Sequence, residues 1–379
     1  MSRRVYLDYN ASTPIHPVVR EAMAPFLNDA YGNPSSEHWA GAPAREAVER
    51  ARSRLATLLG CSPAEIVFTS GGTEANNTAL TGVFFAAGDR PAHIVTTAVE
   101  HPAVLEPCRF LQRLGADLTI VGVDAQGLVD PDDVRRALRP ETVLVSVMHA
   151  NNEVGTIEPI AETARVAHEA GVLMHTDAAQ SIGKLPTRVD ELGVDLLSVA
   201  GHKFYGPKGV GALYVRRGVE LEPFVHGAGH ESGRRAGTEN VVLDVGLGAA
   251  AELAADLSWT EEARRLRDRL WDELERAFGD RVRLNGHPVR RLPNTLNVSF
   301  LDADGRELLA ELPELAASTG SACHSGGTEP SPVLAAMGVP RDVGRGAVRF
   351  SLGRMTTDDD VTRVVASLAR VAATRSATA

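Results

Sequence analysis

The chain has 379 residues, of which 44% are hydrophobic and 23% charged, and its formal net charge is −10. The composition is typical of a globular protein, and the length suits two domains, one large and one smaller. The acidic balance argues against a direct nucleic-acid binder or a membrane-surface protein, and no apolar run reaches the roughly 18 residues that span a bilayer. The first residues lack the apolar core of a signal peptide. Three cysteines, an odd number, favour free thiols in a reducing cytoplasm over a disulfide framework.

The N-terminal third begins with an extended arm that ends in turn residues near Pro14. A helix is predicted up to Leu59, with Gly60 as its stop, and a strand over residues 66–69. Directly after this strand, Gly71, Gly72 and Thr73 open another helix. A Gly-Gly-Thr turn alone is a weak signal, but at the start of a helix its N–H groups could bind a phosphate.

The same strand-and-polar-residue unit then repeats. The strands and the polar residues that follow them are 94–97 with Glu100 and His101, 143–148 with Asn152, 172–176 with Asp177 and Gln180, and 195–200 with His202 and Lys203. Helical patterns lie between the strands, which predicts an α/β fold with a mostly parallel central sheet. In such sheets, ligands bind at the edge formed by the carboxyl ends of the strands.

These polar residues fit a pyridoxal phosphate site. Lys203 could form a Schiff base with an aldehyde cofactor, and Asp177 could pair with a pyridinium nitrogen. The phosphate would lie at Gly72 and Thr73. The remaining members are His101, to stack on the ring or move a proton, and Asn152 and Gln180, as donors to a phenolate oxygen. Taken singly, Asp177 is more often a helix cap and His101 an ordinary buried or surface histidine, and their shared sheet edge favours the cofactor.

Motifs along nearly the whole chain carry a resemblance to one family. They are Tyr6-Leu-Asp-Tyr-Asn, Gly32-Asn-Pro-Ser-Ser, Thr69-Ser-Gly-Gly-Thr-Glu-Ala-Asn-Asn, Glu100-His-Pro, Asn151-Asn-Glu-Val-Gly, Thr176-Asp-Ala-Ala-Gln, Gly201-His-Lys-Phe-Tyr-Gly-Pro-Lys-Gly, Arg235-Ala-Gly-Thr-Glu-Asn, Gly320-Ser-Ala-Cys and Arg349-Phe-Ser-Leu-Gly-Arg. The chain resembles the cysteine desulfurases of the class V aminotransferase type, in the group with a long catalytic-cysteine loop. The resemblance implies pyridoxal 5'-phosphate bound by residues that include His202, L-cysteine as substrate, and a homodimer in which the partner subunit's Thr238 contacts the phosphate. One departure is Ala200, where relatives usually carry a serine that contacts the phosphate.

The C-terminal part of the chain predicts a second, smaller domain. Helices are expected over 241–257 and 261–278, and strands over 295–300 and 347–352. We therefore expect residues 13–256 to form the large cofactor-binding domain, and residues 1–12 and 257–379 to form a small α+β domain. Alternation in the last strand turns Arg349 away from its apolar neighbours, which leaves either a surface arginine or a carboxylate clamp. With the resemblance, Arg349 and Asn33 are the expected ligands of the substrate carboxylate.

Cys323 indicates which type of reaction the chain catalyses. It lies in a stretch of small and turn residues, 317–332, which predicts an exposed and mobile loop. A thiol in such a loop is a candidate nucleophile, and as a hypothesis the adjacent His324 could favour its thiolate. The expected chemistry is attack of Cys323 on the sulfur of L-cysteine, which leaves alanine and a persulfide. The loop would then carry the sulfur to an acceptor or scaffold protein.

Other functions remain open at this stage. A selenocysteine lyase would use the same cofactor site, an ordinary aminotransferase would have no need of Cys323, and a sulfur-relay protein would act through its surface rather than by turnover. No metal site is predicted. The destination of the sulfur, which could be iron–sulfur cluster assembly, tRNA thiolation or DNA modification, is not encoded in any recognisable motif.

Overall fold

The computed structural model of the protein describes residues 4–301, 303–319 and 331–378. The strands are β1 (Val5–Tyr6), β2 (Ile66–Thr69), β3 (His93–Thr97), β4 (Asp117–Val121), β5 (Thr142–Ser146), β6 (Leu173–Asp177), β7 (Leu196–Ala200), β8 (Gly211–Val215), β9 (Val282–Asn285), β10 (Thr295–Phe300), β11 (Leu315–Ala316) and β12 (Ala347–Ser351). The helices are α1 (Pro17–Met23), α2 (Pro25–Asn28), α3 (Gly41–Leu59), α4 (Gly72–Ala86), α5 (Pro102–Arg113), α6 (Pro131–Ala137), α7 (Ile160–Glu169), α8 (Val189–Leu192), α9 (Val241–Ala254), α10 (Trp259–Phe278), α11 (Gly305–Ala310), α12 (Pro332–Ala336), α13 (Arg341–Arg345) and α14 (Asp358–Thr378).

A seven-stranded sheet with the order β2-β8-β7-β6-β5-β3-β4 forms the centre of the fold. Strands β4, β3, β5, β6 and β7 pair in parallel, and β8 is antiparallel to both of its neighbours. Every residue of β3 and β7 is buried, as expected for strands that are covered by helices on both faces. The predicted α/β fold with a mostly parallel central sheet is thus confirmed.

Local signals in the sequence account for the helix ends. α3 buries Ala47, Val48, Ala51 and Leu55 along one face and ends at Gly60, whose φ of 72° is left-handed. α4 begins after Gly71, which has a φ of 151°. Residues other than glycine rarely adopt this backbone conformation. In the C-terminal part, the end of α9 and the beginning of α10 each lie within a few residues of the predicted position.

A second hydrophobic core lies around the antiparallel sheet β12-β10-β9. Helices α10 and α14 pack together beside it, and the N-terminal residues Val5 and Leu7 belong to the same core. β1 pairs in parallel with β11, which attaches the N-terminal arm to this core. The domain limits expected from the sequence remain a prediction. None of the helices in the described ranges is long and apolar enough to cross a bilayer.

Candidate active site

Five strand ends meet at one edge of the central sheet. β3, β5, β6 and β7 are parallel, and β2 has the same direction because both β2 and β7 are antiparallel to β8. Asp177 is the last residue of β6, and the segments that follow the other four strands carry Gly72, His101, Asn152 and Lys203. The topology therefore places these residues, each predicted from its own strand, along one edge.

Lys203 lies at the end of the short 3-10 turn Gly201–Lys203 that follows β7. Its Nζ donates to the backbone oxygens of Asn10 (2.8 Å) and Ala11 (2.9 Å). The arm is held there in turn, since the N–H and the hydroxyl of Thr13 both donate to the carbonyl of His202. The N-terminal arm thus provides the acceptors that hold the lysine amine, a role that the sequence did not indicate.

Asn10 connects several parts of this edge. It is buried, and its carbonyl oxygen also accepts a hydrogen bond from Gln180 Nε2 at 2.9 Å. Its Oδ1 accepts from Lys184 Nζ (3.3 Å), and its Nδ2 donates to Thr295 Oγ1 (2.8 Å). One asparagine therefore connects Lys203, which follows the central sheet, with Thr295 of β10 in the antiparallel sheet.

A second lysine, Lys184, lies buried beside Lys203. Its Nζ donates to Gln180 Oε1 at 2.8 Å. Burial lowers the pKa of the Lys184 amine well below its usual value, and the positive charges of Lys203 and Arg349 add to this effect. Because Lys184 occupies Oε1 and Asn10 accepts from Nε2, the orientation of the Gln180 amide is fixed.

Asp177, the last residue of β6, is a buried carboxylate held by neutral donors. Its Oδ2 accepts from Asn76 Nδ2 (2.7 Å), and its Oδ1 accepts from the Ala179 N–H (2.9 Å). No cation in the described ranges forms a salt bridge with it, and the nearby His175 is neutral because burial lowers its pKa to about 4. A buried carboxylate needs a positive partner. The protonated ring nitrogen of pyridoxal phosphate is such a partner, so this residue fits the cofactor.

The start of α4 is suited to a phosphate. No side chain caps this helix end, and Thr73 is exposed. A Cβ atom at Gly72 would lie only 3.0 Å from the Cβ of Ala200, so the first turn packs closely against the end of β7. The free N–H groups and the helix dipole favour an anion at this point, and Ala200 offers it no hydroxyl.

His101 and His202 are both half-buried at the sheet edge. His101 precedes α5, and its Nδ1 accepts from the Ala103 N–H at 3.0 Å. In the neutral ring the proton therefore lies on Nε2, which leaves this atom as the donor. Burial, together with the charges of Lys203 and Lys208, lowers the pKa of His202 to about 4, so the second histidine is neutral near pH 7.

Arg349 is buried in β12, which excludes the surface arginine that strand alternation had left open. Its Nη2 contacts Asp8 Oδ1 at 2.7 Å, and its Nη1 donates to the carbonyl oxygen of Asn152 at 2.8 Å. Its Nε is buried and has no hydrogen-bond partner among the described residues. The contact with Asp8 was not predicted. The guanidinium has one unused buried donor, which is consistent with an anionic ligand.

The remaining candidates are not joined to this group. Asn33 is exposed in the turn before α3, where its Oδ1 accepts from the Ser35 N–H. Thr238 is exposed in the segment before α9. Cys323 and His324 lie outside the described residues. The roles of all of these residues remain predictions.

Comparison with known proteins identifies the family. The class-V aminotransferase family matches residues 5–364. The chain is 50% identical over 376 residues to a cysteine desulfurase IscS of Dictyoglomus turgidum, covering 98% of this chain and 95% of that protein, and 48% identical over 370 residues to one of Methanosarcina thermophila, covering 96% and 91%.

Solved structures agree with this result. A NifS-like protein has a TM-score of 0.92 at 38% identity, covering 98% of this chain and 99% of that one, and SspA in complex with cysteine has a TM-score of 0.84 at 38% identity, covering 93% and 99%. The chain therefore belongs to the cysteine desulfurase family, the pyridoxal-phosphate-dependent enzymes of the class-V aminotransferase type.

Proposed function

We propose that this protein converts L-cysteine to L-alanine and transfers the sulfur, through a persulfide on Cys323, to an acceptor. The observation that carries the proposal is the buried Asp177 carboxylate, which lacks a salt-bridge partner among the described residues and lies at the same sheet edge as Lys203. The 50% identity to a cysteine desulfurase and the likeness to a protein solved with cysteine support the choice of substrate.

Each residue has a distinct task in this proposal. Pyridoxal phosphate, when bound, supplies an electron sink for the carbon that bears the substrate amine. Lys203 holds the cofactor, and either Lys203 or His101 then moves the proton of that carbon. Arg349 orients the substrate carboxylate through its unused donor, Nε. The Cys323 thiolate attacks the substrate sulfur: a sulfur–sulfur bond forms and the bond between that sulfur and the β-carbon breaks. The β-carbon takes up a proton, and the α-carbon regains the proton that it had lost, which gives alanine.

The proposal includes a homodimer in the reducing cytoplasm and a sulfur-acceptor or scaffold protein. The segment that leads to Thr238 is held by Glu231, whose carboxylate accepts two hydrogen bonds of 2.7 Å from Arg52. Glu231 and Ser232 have φ values of 50° and 58°, which are strained for residues other than glycine. Thr238 itself is exposed, which is consistent with a contact to a second subunit.

The substitution Cys323→Ser tests the central step. We expect the variant to keep the visible absorbance of the bound cofactor and to lose alanine release from L-cysteine. As a control, Lys203→Ala should lose the borohydride-reducible link between protein and cofactor. Undiminished alanine release by Cys323→Ser would refute the proposal, and faster release from L-selenocysteine than from L-cysteine would favour the lyase instead.

A further inference from the structure

Glu153, two residues after the start of the Asn151-Asn152-Glu153 motif, is a buried carboxylic acid that the proposed mechanism does not use. One of its oxygens, Oε2, accepts a hydrogen bond from the hydroxyl of Ser331. Burial raises the pKa of Glu153 to about 7, although the Ser331 hydrogen bond and the charge of Arg349 oppose this effect. A buried acid near the substrate site, bonded to a residue 178 positions away, calls for an explanation.

Ser331 follows Cys323 by eight positions in the chain and directly precedes α12. Its hydroxyl oxygen accepts from the N–H groups of Val333 (3.1 Å) and Leu334 (3.4 Å) and so caps α12. Because this oxygen is an acceptor at the helix end, its own proton is available for Glu153. The hydroxyl thus links the first turn of α12 to the acid.

Apolar packing fixes α12 in the same place. Val333, Leu334 and Met337 form a cluster with Val99 and with Val154, the residue after Glu153. The loop that carries Glu153 is itself rigid, since Asn151 Oδ1 accepts from the N–H groups of Glu153 (2.8 Å) and Val154 (3.0 Å). The backbone of Glu153 is therefore fixed by hydrogen bonds as well as by the packing of its neighbour Val154.

The other end of the Cys323 segment is also attached at this site. Ser318 and Arg349 exchange two backbone hydrogen bonds, of 3.2 Å and 2.6 Å. The side chain of Arg349 donates to the carbonyl of Asn152, the neighbour of Glu153, at 2.8 Å. One end of the segment, Ser318, is thus hydrogen-bonded to Arg349, and the other, Ser331, to Glu153. Arg349 is the expected ligand of the substrate carboxylate.

From these contacts we infer that Glu153 is a positioning residue, which anchors the C-terminal end of the Cys323 segment at the substrate site through Ser331. The inference rests on the proposed role of Cys323. Because Cys323 lies only eight positions before Ser331 in the chain, fixing Ser331 limits the volume that the thiol can reach and so raises its effective concentration for the proposed attack. Loss of the Glu153 contact loosens the start of α12 and lowers that concentration, although the apolar packing of the helix remains, and it does not remove a ligand of the substrate carboxylate or the cofactor.

The test compares two reactions of the holoenzyme. Exchange of the α-proton of L-alanine with deuterated water requires the cofactor site but no thiol, whereas alanine release from L-cysteine requires both. We expect Glu153→Ala to lower kcat for alanine release at least ~10-fold while KM and the exchange rate stay within ~2-fold. Hydrogen–deuterium exchange should also become faster at residues 331–336 and stay unchanged in β12.

Matched variants separate anchoring from charge and from folding. Glu153→Gln retains an oxygen that accepts from Ser331, so it should recover most of the lost rate. Ser331→Ala should behave like Glu153→Ala, and the double variant should be no worse than either single variant, because both remove one contact. Ser331→Thr retains the hydroxyl and serves as the control for that position.

Three results would overturn the inference. Equal loss of exchange and alanine release in Glu153→Ala would mean that Glu153 acts on the cofactor or the substrate site. A defect in Glu153→Gln as large as that in Glu153→Ala, with a raised KM, would assign the effect to the charge beside Arg349. An unchanged kcat would mean that Glu153 does not position the segment. Full activity of Cys323→Ser would instead refute the proposed function, whatever the Glu153 variants do.

Discussion

Glu158, just before α7, offers a pH-dependent test of how the fold holds its buried acids. The side chain is 3% exposed, its Oε2 accepts from the Val129 N–H at 2.9 Å, and its Oε1 has no partner among the described residues. Burial raises the pKa of this carboxyl from 4.5 to about 8, and the charge of Asp124 adds to the rise. Between these two pH values the folded protein retains a proton that the unfolded chain has released. The free energy of unfolding therefore falls as pH rises through this window.

Glu158→Gln removes this titration and retains an oxygen that can accept from Val129. From pH 6 to pH 9 the wild-type protein loses about 3 kcal/mol from this one group, at about 1.4 kcal/mol for each pH unit up to the folded pKa. For a chain of this length, that corresponds to a Tm difference between variant and wild type that grows by about 3–4 °C. Thermal unfolding followed by circular dichroism at several pH values measures this difference.

Glu169→Gln is the matched control. Glu169 is exposed, and its pairing with Arg135 (2.8 Å) and Arg165 (2.6 Å) lowers the pKa of its carboxyl. It therefore does not titrate between pH 6 and pH 9, and its Tm difference from wild type should stay constant there. Parallel Tm curves for Glu158→Gln and wild type over this range would refute the assignment of a raised pKa to Glu158.

Three further variants test other parts of the structure. Ala200→Ser, next to Gly72 at the phosphate end of the site, should raise the affinity of the apoenzyme for pyridoxal phosphate about 5-fold through one new hydrogen bond, and a fluorescence titration that shows equal affinity would contradict this. Glu231→Gln removes the buried charge opposite Arg52, whose other ion pair is with the exposed Glu49, and should lower stability to urea by about 3 kcal/mol, whereas an unchanged urea midpoint would mean that the pair contributes nothing. Arg349→Lys should raise KM for L-cysteine at least ~10-fold with the cofactor absorbance unchanged, and an unaltered KM would remove Arg349 from substrate binding.

The sequence predicts the sheet and the strand-end residues because their signals are local. Asp177 and Lys203 each follow an apolar strand within a few positions, and a parallel sheet brings the ends of such strands together. The ends of helices are predicted by equally local signals, because Gly60 directly follows the last apolar residue of α3. The position of each residue at this edge therefore follows from the strand that precedes it.

Other parts of the site depend on contacts between distant positions. Asn10 accepts from residues 170 and 193 positions away, and no local pattern marks such partners. Lys184 follows a glycine and precedes Leu185-Pro186, a context typical of a surface lysine, and lysines are rarely buried. The raised pKa of Glu153 likewise follows from burial alone. All of these residues acquire their surroundings when the N-terminal arm and the segment after β5 pack at the sheet edge.

The N-terminal arm explains how two hydrophobic cores produce one site. Leu7 is buried in the core around β10 and β12, and Asp8 bridges to Ser351 there. Only two and three residues later, the backbone oxygens of Asn10 and Ala11 accept from Lys203, which belongs to the central sheet. A shift of one core against the other would therefore break the hydrogen bonds of the lysine amine at 2.8 and 2.9 Å. Arg349 lies in the small antiparallel sheet and Lys203 follows a strand of the central sheet. The arm, together with the hydrogen bond from Arg349 to Asn152, therefore helps to fix the distance between the expected carboxylate ligand and the reacting amine.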